Sequence, residues 1–192
     1  MKTQGSNFFV SLSIATAFAC LLLTTTSCNK TSHANEKPGV EAPEIDIHTA
    51  VLTGNQEALK QHIAAGTDIN EKDPFGGSSP LISAALFGKT EEARILIDAG
   101  ADINFQNNDG GTALHTAAFF GRPEIVRLLL EKNADRTIIN KFGATAYQSV
   151  AGPFADVKNV YDMIGKALEP MGLKLDYAYI EKVRPEIAEM LK

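Results

Sequence analysis

The sequence predicts an all-α protein, a solenoid of about four helix-turn-helix repeats with short β-hairpin fingers between them and a helical C-terminal cap. Three observations carry this. Ser79-Pro80-Leu81-Ile82-Ser83-Ala84-Ala85-Leu86-Phe87-Gly88 aligns without a gap with Thr112 to Gly121 at an offset of 33, and a fixed period of that size is the signature of a helical repeat. Within each period apolar residues recur at helical spacing, as Ala93, Leu96 and Ile97 do while Arg94 and Asp98 face the other way. Helix starts and stops fall at matching places around them.

The first repeat, about residues 44–73, has Ile47-His48-Thr49-Ala50-Val51 as its inner helix and Gly54 as its stop. In the second, 74–107, Ser79 can cap the inner helix and Pro80 sits at its first position, where a missing N–H costs nothing. Gly88 ends that helix, Thr90 can cap the outer one, Glu91 and Glu92 suit its positive end, and Gly100 closes it. In the third, 108–140, Pro123 opens the outer helix and Asn133 can take the left-handed position that Gly100 fills before it. The fourth, 141–168, begins at Thr145-Ala146-Tyr147 and is broken by Gly152-Pro153; Val157, Val160, Tyr161, Ile164 and Leu168 then space as its outer helix. Residues 169–192, with Leu175, Ile180, Val183, Ile187 and Leu191, read as a helical cap over the last apolar face, interrupted at Pro185. Between repeats lie Glu71 to Gly77, Phe105 to Gly111 and Ile138 to Gly143, and Asn108-Asp109-Gly110-Gly111 is hairpin chemistry. No single unit buries its own apolar stripe, so small residues at Ala50, Ala84-Ala85 and Ala117-Ala118 are expected where helices stack most closely.

Thr112-Ala113-Leu114-His115-Thr116-Ala117-Ala118 and the ending Gly100-Ala101-Asp102-Ile103-Asn104, with Gly66-Thr67-Asp68-Ile69-Asn70 and Asn133-Ala134-Asp135, resemble the ankyrin repeat. The resemblance implies an all-α ankyrin-repeat solenoid and a non-catalytic module that binds a protein partner on its concave face. The pairs Leu86-Phe87 and Phe119-Phe120 occupy positions that ankyrin proteins vary and commonly expose, and Leu52-Thr53 holds the same place in the first repeat. Phe75, Asn108 and Phe142 fall at the fingers. Phe75, Leu86, Phe87, Asn108, Phe119, Phe120 and Phe142 are therefore the candidate partner-binding residues, since exposed aromatics in a patch mark binding hot spots. The same row fits equally a core covered by the C-terminal tail.

The first 27 residues read as an export signal: Lys2 is the one charge, and Phe8 to Leu23 is a mostly apolar run of 16, short for a membrane span. Leu21-Leu22-Leu23-Thr24-Thr25-Thr26-Ser27-Cys28 resembles the bacterial lipoprotein box, with Thr25 where that family prefers Leu. This implies acylation at Cys28 and an outer-membrane lipoprotein facing the periplasm, tethered through a polar segment up to Pro43; a plainly cleaved secretory signal is the alternative. Removing residues 1–27 leaves 17 basic against 23 acidic side chains. A mildly acidic body with no basic cluster is a poor nucleic-acid binder, so no nucleic-acid partner is expected, and the acyl lipid is the one expected membrane contact. A monomer is expected, with no cofactor and no metal.

His33, His48, His62 and His115 do not pair at ligand spacings, and no phosphate loop, dinucleotide fingerprint or nucleophile elbow is present. The second function class is an enzyme with a site in the fourth repeat and tail, around Tyr147, Asp156, Tyr161 and Tyr177; an envelope scaffold or immunity protein is a third.

Overall fold

The computed structural model describes residues 40–192; the leader with Cys28, and His33, lie outside the described residues. Helices α1 (Ile47–Thr53) and α2 (Gln56–Ala65) form the first pair, α3 (Pro80–Phe87) and α4 (Thr90–Asp98) the second, and α5 (Ala113–Phe119) and α6 (Pro123–Glu131) the third. A four-residue α7 (Gln148–Ala151) opens the fourth, followed by α8 (Phe154–Leu168), a 3-10 turn over Glu169–Met171 and α9 (Tyr177–Leu191).

The local signals act as the sequence predicts, with one exception. Ser79 Oγ accepts from the Ile82 amide at the start of α3, Thr112 does the same for His115, and Pro80 and Pro123 open α3 and α6. Gly88 and Gly121 are equivalent left-handed bends (φ 67° and 65°), and Asn133 takes the left-handed position with φ 59°. Thr90 is already inside α4 and makes no side-chain cap; its place is taken by Lys89, so α4 begins on the dipole-favoured Glu91 and Glu92 alone.

Inner helices pack on inner helices and outer on outer. Ala50, Ala84, Ala85, Ala117 and Ala118 are all completely buried, because any larger group would hold successive helices apart. Leu81, Leu96, Leu114, Ile125 and Leu129 fill the core between them. Along one edge the repeats are also tied by equivalent bonds: the Asp102 amide donates to Asn70 Oδ1 (2.9 Å) and the Asp135 amide to Asn104 Oδ1 (2.9 Å).

The expected hairpin fingers are single turns; among the described residues no strand forms. Each is closed by two backbone bonds, one from the amides of Asp73, Asn107 and Asn140 to the carbonyls of Ser78, Gly111 and Ala144, the other from the amides of Gly77, Gly110 and Gly143 back to the carbonyls of Asp73, Asn107 and Asn140. The same three side chains lock the turns from inside: Asp73 accepts from Phe75 and Gly76, Asn107 from Asp109 and Gly111, Asn140 from Phe142 and Ala144. Neighbouring fingers are joined by Asn108 N–H to Gly76 C=O (3.0 Å) and Lys141 N–H to Asp109 C=O (2.8 Å).

The fourth repeat departs from its expected layout. Residues 157–168 do form a helix, yet the helix that packs beside α6 and α7, as an outer helix must, is α9. Ile187, Ala188 and Leu191 of α9 join the main core, and Val183 and Ile180 close over Gly121. The tail is thus the fourth outer helix and the end of the stack at once. Its text says so: Arg184-Pro185-Glu186-Ile187 repeats Arg122-Pro123-Glu124-Ile125 at an offset of 62, which is 29 residues more than one period. Pro185, read as an interruption, stands where Pro123 opens α6, but here the helix runs through it. Most of the extra length is the insertion 152–175, to which α8 belongs, and the rest extends α9 ahead of Pro185.

Candidate functional site

Inner helices α3 and α5 end in Leu86-Phe87 and Phe119-Phe120, the row expected to line an open groove. The structure closes that row. These four side chains form a second apolar cluster with Phe154, Val157, Tyr161, Ile164 and Leu168 of α8, with Leu173 and Leu175 after it, and with Tyr177 and Ile180 of α9. Phe120 retains 6% of its surface; Leu86, Phe87 and Phe119 are half-buried. The physical reason is the insertion: it brings an amphipathic helix with no place in the stack, whose apolar stripe finds the nearest apolar surface.

Tyr161 is the centre of this closure and is completely buried. Its ring stacks on Phe119 (centroids 4.4 Å apart, planes at 16°) and lies 5.3 Å from Phe154. Its hydroxyl donates to the Phe119 carbonyl oxygen and accepts from Arg184 Nη1 at 3.0 Å. Arg184 Nη2 also donates to the carbonyls of Ser149 (3.3 Å) and Gly152 (3.2 Å), satisfying the open C-terminal end of α7. Burial pushes the Tyr161 phenol up to about 12, against the pull of Arg184, so the phenol stays neutral. Arg122, at the matching place one repeat earlier, donates to the Leu86 carbonyl at 3.3 Å. Both arginines clamp the ends of inner helices.

What remains open is the line of finger tips. Phe75 is 89% exposed, Ile139 61% and Phe142 50%. Asn108 is exposed between them, its amide group lying against Gly77. The turns that carry these phenylalanines are held by the Asp73 and Asn140 networks and by the bonds between fingers. Phe105, the aromatic at the root of the second finger, is instead half-buried beneath the Lys72 ammonium, 5.5 Å from its ring. Ile139 was not among the sequence candidates, because an apolar pair such as Ile138-Ile139 does not say which member faces water. Only Ile138 is tucked in.

The described histidines are structural. His115 Nδ1 meets Thr112 N (3.3 Å) and Oγ1 (2.9 Å), and Nε2 meets the Ala144 carbonyl (3.1 Å) of the next finger. Burial holds its pKa below the ordinary value, which the Ala144 and Ile138 carbonyls oppose. His48 bridges Ser83 Oγ and the Glu71 carbonyl, and His62 bridges Thr67 Oγ1 and the Ile45 carbonyl. The four residues considered for catalysis do not converge. Tyr147 packs on the main core, Tyr161 and Tyr177 lie in the second cluster, and Asp156 is exposed on α8. A cavity of about 400 Å³ beside Tyr147 is lined by Gly152, Pro153, Glu181, Arg184 and Lys192, where Arg184 is already engaged by three oxygen atoms. Among the described residues no helix is long and apolar enough to cross a membrane.

Comparison with known proteins places these features. A family described as ankyrin repeats (3 copies) matches residues 47–140. Protein phosphatase 1 regulatory subunit 12A of Mus musculus is 45% identical over 67 residues, 35% of this chain and 6% of that protein. Protein phosphatase 1 regulatory subunit 27 of Homo sapiens is 42% identical over 64 residues, 33% of this chain and 41% of that one. Protein PhlB of Serratia liquefaciens is 36% identical over 69 residues, 36% of this chain and 30% of its own length. These alignments span well under half of each relative. Among solved structures, the ankyrin repeat domain of Bcl-3, a member of the IkappaB family, superposes with a TM-score of 0.52 at 33% identity, covering 54% of this chain and 45% of that chain.

Proposed function

Because this chain belongs to the ankyrin-repeat family, we propose that it is a non-catalytic protein-binding module whose partner is held by the finger tips Phe75, Asn108, Ile139 and Phe142. The observation that carries this reading is Phe75, a large apolar side chain 89% exposed on a turn fixed by its own hydrogen bonds. Burying such a ring against a partner contributes about 1.5 to 3 kcal/mol, and little is lost to ordering because the turn is already set. The regulatory-subunit relatives support a protein as the ligand. Replacing Phe75 and Phe142 together by Ala tests it: tagged protein should lose its co-purifying partner while far-UV circular dichroism and the melting midpoint are unchanged. The same partner recovered in the same amount by the double variant would refute the finger-tip assignment.

The same proposal places the module on a bacterial cell envelope, anchored by acylated Cys28. What supports this is the leader text alone, 16 mostly apolar residues followed by small residues and Cys28. Metabolic labelling with a radioactive fatty acid should mark the wild type and not Cys28→Ala; equal labelling would remove the anchor and leave the cleaved signal.

A further inference from the structure

The insertion that closes the inner-helix row is separable from the stack it sits on. α9 follows α7 as the fourth outer helix, so the repeats are complete without residues 152–175. α8 gives the row one amphipathic face: Phe154, Val157, Tyr161, Ile164 and Leu168, at spacings of three and four, face Leu86, Phe87, Phe119 and Phe120. Its other side, with Asp156, Lys158, Asn159, Asp162 and Lys166, is exposed. Only Tyr161 of its fifteen residues is fully buried, and both ends leave through turns, Gly152-Pro153 before it and Gly172 after it.

We propose that the Leu86–Phe87–Phe119–Phe120 row is a helix-binding groove, that α8 is its built-in occupant, and that its external ligand is an amphipathic helix of a partner protein bearing the same stripe, with an aromatic residue in the place of Tyr161. α8 itself defines the chemistry that fits: an aromatic ring to stack on Phe119 and a hydroxyl for the Phe119 carbonyl and Arg184, flanked by aliphatic groups one turn away on each side. Tethering places α8 at a local concentration in the millimolar range, so an outside helix reaches the groove only in the fraction of molecules where α8 is displaced, and its apparent affinity is lowered by that fraction. This surface is distinct from the finger tips, and its test does not involve them.

The probe is a synthetic peptide of residues 153–169 of this chain, labelled with fluorescein and titrated with the full-length protein by anisotropy. Charging the inner face of the resident helix, in Val157→Asp/Ile164→Asp, should free the groove and tighten peptide binding at least tenfold over wild type. Adding Phe119→Ala to that variant should abolish the gain. Equal affinity for wild type and variant, or binding that survives Phe119→Ala, would overturn the proposal. So would a dimeric variant in light scattering, since the groove would then take a second copy. Wild-type hydrogen exchange serves as the check that needs no substitution: α8 amides should exchange at least tenfold faster than those of α3, α5 and α9, and exchange of all four helices together would overturn a displaceable α8.

Discussion

The third and fourth repeats begin alike and end differently. Thr112 and His115 exchange bonds at the start of α5, and Thr145 and Gln148 do the same one period later, Gln148 Oε1 accepting from the Thr145 amide at 2.8 Å. Arg122-Pro123 opens one outer helix and Arg184-Pro185 lies in the other. Between those landmarks the third repeat turns directly at Gly121, whereas the fourth runs out through α8 and returns. The difference teaches that a repeat is defined by what its helices pack against. A long insertion is tolerated because loop length adds little entropy once both ends are fixed, provided its apolar face is covered, and the face that covers it is the inner-helix row.

The largest test of that comparison is Tyr161→Ala. It removes a fully buried ring and leaves Arg184 Nη1 and the Phe119 carbonyl without their partner. A loss of about 3 to 5 kcal/mol is expected in urea unfolding. Tyr161→Phe, which keeps the ring, should lose about 1 to 3 kcal/mol; a loss for Tyr161→Ala no greater than that would show that the hydroxyl rather than the stacking holds α8. In the regular part of the stack, Ala117→Leu forces a larger side chain into a fully buried helix contact and should cost about 1 to 3 kcal/mol. An unchanged melting midpoint would mean that the stack yields there.

A finer comparison sets Gly121 against Gly100. Both have left-handed φ, 65° and 90°, so alanine at either is strained by about 1 kcal/mol. A Cβ at Gly121 would also come within 3.1 Å of Val183 Cγ2 and 3.3 Å of Ile180 Cγ1, while nothing lies within 4 Å at Gly100. Gly121→Ala should therefore be the worse by about 1 kcal/mol. Equal melting shifts would mean that α9 does not press on that bend.

Most of this stack was legible because its signals are local. Ser79, Thr112, Pro80, Pro123, Gly88 and Asn133 each act within four residues of themselves, and the alanine pairs mark contacts at a fixed period. The closure of the groove was not legible in the same way. Val157, Val160, Tyr161, Ile164 and Leu168 announce a helix, and spacing alone carries no information about which surface that helix covers. The available clue was long-range text, Arg184 to Ile187 matching Arg122 to Ile125. For the finger tips, Phe75 and Phe142 were readable from turn chemistry, whereas Phe105, in the equivalent stretch, is shielded by Lys72, a contact that no local rule foretells.

The smallest effect separates the first finger from the other two, which carry asparagine where it carries Asp73. Partial burial works to raise the Asp73 carboxyl, yet the amides of Gly76, Phe75 and Ser78 outweigh it and hold the group below its ordinary value of 3.8. A carboxyl depressed in the folded state stabilises it fully above the unfolded pKa, and that contribution disappears as pH falls through the folded value. Asp73→Asn keeps Oδ1 for the Phe75 and Gly76 amides, as Asn107 and Asn140 keep theirs, but sets an NH2 group against the Ser78 amide that Oδ2 accepts, and it removes the titration. At pH 7 the variant should be less stable by about 1 kcal/mol, since a neutral acceptor bonds more weakly than a carboxylate and the Ser78 amide loses its acceptor. Below about pH 4 the wild type should lose that advantage and the two stability curves should converge. Curves that stay parallel down to pH 2 would mean that the charge on Asp73 adds nothing to the finger, and that the three turns are held alike.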